Sequence, residues 1–215
     1  MKRRFLVVVP VLCWALTMHA SALTLTVTDQ ASGAPVADAV VALDRVDPVT
    51  PVTAEIYQQD RAFHPKVLIL PLGSEVEFPN RDNTQHHVYS FSPAKTFNIE
   101  LYAGRPERPV RFDQPGIVEL GCNIHDHMQA FILVTQTNAI GQSGPDGRVE
   151  LPVDTATNAG APIRLRVWHP RLPDNTQPVS RQVDATGPGT VAIELRPAPA
   201  RETSMDLLQR RFQEL

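Results

Sequence analysis

Cys122, His125 and Met128 fall within seven positions, in Gly121-Cys122-Asn123-Ile124-His125-Asp126-His127-Met128. A second source of imidazole lies upstream, where Phe78-Pro79-Asn80-Arg81-Asp82-Asn83-Thr84-Gln85-His86-His87-Val88 places two histidines side by side. A thiolate and two imidazoles in a trigonal plane, with a weak axial thioether, are the ligands that suit an electron-transfer copper ion. This chain carries that set, so the residues point to a copper electron carrier.

Short strands must hold these side chains. Val118, Leu120 and Cys122 share one side of a strand, which brings the thiol into a core at the strand's end. Gly121 and Asn123 signal a turn, and the chain returns through Ala130, Ile132 and Val134. His125 and Met128 then sit on the connecting loop. The upstream strand, with Val76 and Phe78 facing inward, breaks at Pro79 and restarts near His86. His86 and His87 point to opposite sides of that strand, so only one faces the core. Loops gather at one end of such folds, which is where sites collect.

The ends of the chain bear on the thiol. Lys2, Arg3 and Arg4 precede an apolar run and Ala20-Ser21-Ala22, the layout of a secretory signal cut after Ala22. Leu12, before Cys13, is not the small residue a lipoprotein site needs. Export removes Cys13 and leaves Cys122 as the one cysteine of the exported chain. An odd cysteine in an oxidising compartment calls for a reason, and a metal holding the thiolate supplies one; an inert buried thiol is the plainer reading. Loss of the signal's three basic residues leaves 17 basic against 23 acidic, a net charge of -6. That excess argues against nucleic acid, whose binding needs basic surface.

Twenty prolines and eleven glycines, with alternating segments between them, describe an all-β protein of packed sandwiches. Leu23, Leu25 and Val27 share a face, as do Phe97, Ile99 and Leu101. Ile163, Leu165 and Val167 alternate with Arg164, Arg166 and Trp168. Lys66–Leu70 and Gln129–Val134 are apolar on both faces. Residues 47–135 are expected to form the copper unit. Residues 23–46 and 136–198 are expected to form a second sandwich split by it. The stretch from Thr26 to Leu43 resembles the opening hairpin of transthyretin-like or carboxypeptidase-regulatory-like sandwiches, and Gly144-Pro145-Asp146-Gly147 resembles their next turn. A serial arrangement of two units is the alternative. Residues 199–215 read as a short amphipathic helix, with Met205, Leu208, Phe212 and Leu215 on one face.

The two motifs together resemble the blue-copper proteins, the cupredoxins. The spacing Cys-x2-His-x2-Met is that of the amicyanin ligand loop, while plastocyanin and pseudoazurin place the methionine further on. Bacterial plastocyanin-like proteins associated with methylamine utilisation share the Phe-Pro-Asn and Gly-Cys-Asn-Ile-His-Asp segments. The resemblance implies one type 1 copper ion held by His86, Cys122, His125 and Met128, with His125 as the exposed edge through which the electron passes. It also implies a periplasmic location and a redox partner, a cytochrome or a periplasmic dehydrogenase. Two positions depart from the pattern. His87 stands where these proteins carry Asn and offers a rival imidazole. His127 has no counterpart and reads as a rim residue; bound to the ion, it would shift the site toward type 2 or red-copper character.

Other readings stay open at this point. A copper-delivery protein would use the same cluster of soft and borderline donors. An enzyme built on a Cys/His nucleophile pair is disfavoured, because His125 lies only three residues from Cys122 on a loop. His64 and His169 read as ordinary strand-end histidines.

Overall fold

Period-two alternation becomes strand after strand along this chain. The computed structural model describes residues 22–152, 162–184 and 188–198. In chain order the strands are β1 (Ala22–Asp29), β2 (Val40–Leu43), β3 (Thr53–Glu55), β4 (Tyr57–Gln59), β5 (Ala62–His64) and β6 (Val67–Pro71). There follow β7 (Glu75–Glu77), β8 (His86–Ser92), β9 (Lys95–Tyr102), β10 (Val110–Arg111), β11 (Gly116–Gly121) and β12 (Gln129–Thr135). The last are β13 (Ile140–Gln142), β14 (Arg148–Pro152), β15 (Ile163–Trp168), β16 (Val179–Val183) and β17 (Gly189–Ile193). The protein is all-β. The signal read in 1–22, apart from Ala22, and the helix read in 199–215 lie outside the described residues. No helix among the described residues is long and apolar enough to cross a membrane.

Two cores organise the strands. One lies between the sheets β14-β1-β17 and β13-β2-β15-β16, and is filled by Leu25, Val27, Val41, Leu165, Val167 and Ile193 among others. The other is bounded by the sheets β6-β12-β11-β8-β9 and β10-β7-β3. Its buried residues include Val76, Phe78, Val118, Leu120, Cys122, Met128, Ala130 and Ile132. The hairpin β4–β5 flanks this second sandwich.

The segments apolar on both faces now have a cause. On β12, Ala130, Ile132 and Val134 enter the second core while Phe131 and Leu133 enter the first. Leu68 and Leu70 of β6 face the second core, and Val67 and Ile69 pack on the first. The five-stranded sheet is therefore covered on both sides along part of its width. Trp168 shows the same contact from the opposite direction. Its place in the alternation of β15 puts it opposite Val167, yet it is buried, because Phe131 meets its ring edge-on with centroids 5.1 Å apart.

Two expectations need correcting. The stretch from Thr26 to Leu43 is a crossover rather than a hairpin. Thr28 and Pro35 make an isolated bridge around a tight turn, after which β2 joins the other sheet, beside β13 and β15. Leu101 does not share the inward face of Phe97 and Ile99. The pairs His86–Tyr102 and Val88–Ile99 leave an extra residue on β9, and this bulge turns Leu101 outward and Tyr102 inward. The turn at Gly144–Gly147 does need its glycine: Gly147 has φ +75°, and a Cβ there would lie 2.5 Å from the Val27 carbonyl oxygen.

His169 is a satisfied buried histidine, whose Nδ1 accepts the Arg171 N–H at 3.1 Å. Burial, aided by the Arg171 charge, holds its pKa down to about 4. The unfolded chain binds a proton near pH 6.5 that the folded chain refuses, so stability falls as pH drops from about 6.5 toward 4. We expect His169→Gln to remove about 2–3 kcal/mol of that pH dependence in urea melts at pH 7 and pH 4.5. Phe131→Ala, which opens the contact with Trp168, is expected to cost about 3–5 kcal/mol in the same melts.

Candidate metal centre

Leu120 and Val118 anchor the end of β11 in the core, and Cys122 follows them inward with 4% exposure. The hairpin register fixes that end: Leu120 pairs with Ala130 and Gly121 with Gln129. The seven residues between them form the loop. The Met128 N–H closes a turn on the His125 carbonyl at 2.9 Å, and Met128 itself is 2% exposed in the same core as Cys122.

His86 opens β8 with its ring fully buried. Its Nδ1 lies 3.9 Å from Cys122 Sγ, and His125 Nδ1 lies at the same distance from that sulfur. One donor atom from each of the three residues falls within 4.8 Å of the others. An ion in a trigonal plane, with bonds of roughly 2.0 Å to nitrogen and 2.3 Å to sulfur, sets the sulfur and each nitrogen about 3.8 Å apart. The donors stand at that separation, so the residues fit such an ion.

His86 and His87 separate as strand geometry requires. The His87 ring is half-buried against Tyr89, with centroids 5.4 Å apart, and belongs to the opposite face from His86. His127 is exposed, its ring 6.2 Å from that of His125 and outside the three-residue group. His64 stacks on Tyr57 away from the group.

The residue that sequence reading passed over is Asp82. His86 Nε2–H donates to its carboxylate at 2.7 Å, which fixes the tautomer and leaves Nδ1 free to face Cys122. The same carboxylate accepts the N–H groups of Asp60 at 2.7 Å and Arg61 at 3.0 Å. Asp60 and Arg61 both have φ 55°, so the tip of the β4–β5 hairpin holds two non-glycine residues in the left-handed region. Partial burial alone would raise the Asp82 pKa, but the bonds from His86, Arg61 and Asp60 outweigh it and hold the carboxyl below its usual range. The signal was present in the sequence as a carboxylate four residues before a candidate ligand.

Asn80 closes the loop before His86. Its side-chain amide donates to the carbonyls of Thr84 at 2.8 Å and Tyr102 at 3.1 Å, while its oxygen accepts the Asp82 N–H at 2.9 Å. Two side chains, Asn80 and Asp82, thus fix the loop and the ring of His86 from behind. The inward-turned Tyr102 adds a bond from its hydroxyl to the Phe78 carbonyl at 2.6 Å. Burial, then the charge of His86, lowers the pKa of His125, which favours the neutral imidazole a metal needs.

No protein-family model matches the sequence, and no curated protein matches it. Among solved structures the chain is similar to a purple cupredoxin from Nitrosopumilus maritimus, at 20% identity and a TM-score of 0.34, over 38% of this chain and 99% of that one. It is similar to a Cu-containing nitrite reductase from Thermus scotoductus SA-01, at 25% identity and a TM-score of 0.36, over 53% of this chain and 28% of that one. A reduced Cu(I) form of an amicyanin mutant gives 14% identity and a TM-score of 0.35, over 44% of this chain and 98% of that one. Cupredoxins are among its structural neighbours. The donor atoms, rather than these likenesses, carry the chemical reading of the site.

Replacing Asp82 by Asn keeps the shape and removes the charge that orients His86. We expect Asp82→Asn to lower metal affinity by roughly 10–100-fold in a competition titration against a chelator. An unchanged affinity would show that the contact orients nothing.

Proposed function

We propose that this protein is a periplasmic type 1 copper protein that carries single electrons between redox partners. The observation that supports this most is the convergence of His86 Nδ1 and His125 Nδ1, each 3.9 Å from Cys122 Sγ, at the edge of the apolar core that also holds Met128. Cys122, His86 and His125 would hold the ion, and the buried Met128 would be its axial donor. Copper, when bound, supplies a one-electron couple between Cu(II) and Cu(I).

The chain's own residues do the rest. Asp82 keeps a proton on His86 Nε2, so that Nδ1 is presented unprotonated. Phe78, Leu120 and Ile132 exclude water from the buried side of the site. The hydrogen-bonded loops at 79–85 and 122–128 hold the donors in place before the ion arrives, which limits the rearrangement an electron carrier must undergo. A carrier is favoured over an enzyme because His125, three residues from Cys122 on one loop, is poorly placed to activate it as a nucleophile. The signal-like start favours export to the periplasm, and the acidic balance favours a protein partner, a cytochrome or dehydrogenase, over nucleic acid.

A copper-delivery role is the second reading, favoured by the exposed His127 beside His125. The two part company in the visible spectrum. We expect the exported chain with Cu(II) to show an intense band that Cys122→Ser abolishes. Tight copper binding without a cysteine-dependent band would replace the carrier with the delivery protein.

A further inference from the structure

The second sandwich covers only part of the outer face of the five-stranded sheet. Ile117, Phe131 and Leu133 lie beneath it. Toward β8 and β9 the second sandwich leaves the same face accessible among the described residues, and the residues there form an aromatic stripe. His87, Tyr89 and Phe91 alternate along β8, with ring centroids 5.4 Å and 5.1 Å apart in turn, and Phe91 is 81% exposed. Single exposed apolar residues are ordinary, but a run of adjoining aromatic rings ending in an exposed Phe91 on one sheet face is not.

Tyr89 and Phe91 line a groove of about 670 Å³ to which the second sandwich contributes Asn175 and Thr176. Glu119 and Asp126 line it together with His127, and among the described residues no Lys or Arg does. Glu100 adds an exposed carboxylate on β9. Cys122 and Met128 form part of the floor. The approach to the sulfur is short: Gly121 pairs with Tyr89, and the ring lies so close that a Cβ on Gly121 would be 2.7 Å from Tyr89 Cζ.

We propose that this groove is the docking site of a basic one-electron redox protein, with the second sandwich serving as the wall that positions it. The proposal rests on the copper reading for the electron's destination, while the groove's chemistry stands by itself. The lining carboxylates Glu119 and Asp126 attract a basic face and set its orientation. The faces of Tyr89 and Phe91 accept Lys or Arg side chains and supply the aromatic anchors on which interfaces depend. A partner seated here has the Tyr89 ring and the Gly121 backbone between it and Cys122. Copper held by Cys122, His86 and His125 would take one electron from a ferrous haem of the partner, going from Cu(II) to Cu(I), with no bond or proton transferred. This route is distinct from the His125 edge.

A strongly basic c-type cytochrome is the probe. Its ferric form, titrated at low salt into the copper-free exported chain, gives an affinity that does not depend on the metal. Amide shifts then map the contact. We expect shifts at 89–91, 119–121 and 174–176, and at least a tenfold loss of affinity in Glu100→Lys/Glu119→Lys. Phe91→Ala, a surface change that leaves the fold alone, is expected to weaken binding several-fold. In the copper-loaded chain, reduction by the ferrous cytochrome should slow in step with affinity, while reduction by ascorbate stays constant. Equal affinity across these variants, or shifts confined to Ile124 and His125, would overturn the groove. Binding at the groove without a cysteine-dependent copper band would support the groove and remove the copper reading. An intact band without binding would do the reverse.

Discussion

The burial of β12 on both faces, with parts of β6 and β11 beside it, is the constraint on which the candidate site depends. Ile132 and Ala130 are locked into one core and Phe131 and Leu133 into the other, so β12 cannot slip by a residue without exposing one set and misplacing the other. The β11–β12 register is thereby fixed, and with it the two ends between which the ligand loop is strung. Cys122 inherits its inward direction from Val118 and Leu120. The placing of Cys122 near His86 and His125 thus begins with a hydrophobic constraint.

Polar bonds then refine what packing has placed. Asp82 joins three segments through one carboxylate: the hairpin tip at 60–61, its own loop, and the ring of His86. Bonds to an ionised acceptor are the stronger kind, and a half-buried position protects them from screening. The tip conformation at Asp60 and Arg61 is one that L residues adopt with reluctance, and the carboxylate beneath it is what makes it tolerable. Removing that charge therefore disturbs both the tip and the ligand.

The alternation of apolar and polar residues made most of the strands legible. Cys122 was readable as inward because strand periodicity sets it with Val118 and Leu120, and His125 and Met128 were candidates because they share one loop with it. Periodicity allowed only one of His86 and His87 to face the core, and the family resemblance, not the period, pointed to His86. Where legibility failed, the cause was a contact distant in sequence. Trp168 reads as solvent-facing in its own strand and is buried by Phe131, 37 positions earlier in the chain. Leu101 and Tyr102 exchange faces through a bulge that depends on the pairing of β9 with β8, which periodicity within one strand cannot reveal. Asp82 was visible as a residue type but not as a partner, since its bond to His86 requires the loop to close on Asn80 first. The Thr26–Leu43 crossover was misread because a tight turn between two strands has the same local signature whether the second strand returns beside the first or joins another sheet.

X-ray absorption at the copper edge of the loaded protein tests the central claim most directly. The account predicts one short copper–sulfur bond and two imidazole nitrogens, with the sulfur shell absent in Cys122→Ser and one nitrogen absent in His86→Gly. A shell of nitrogen and oxygen alone in the native chain, or a nitrogen shell unchanged by loss of His86, would contradict it.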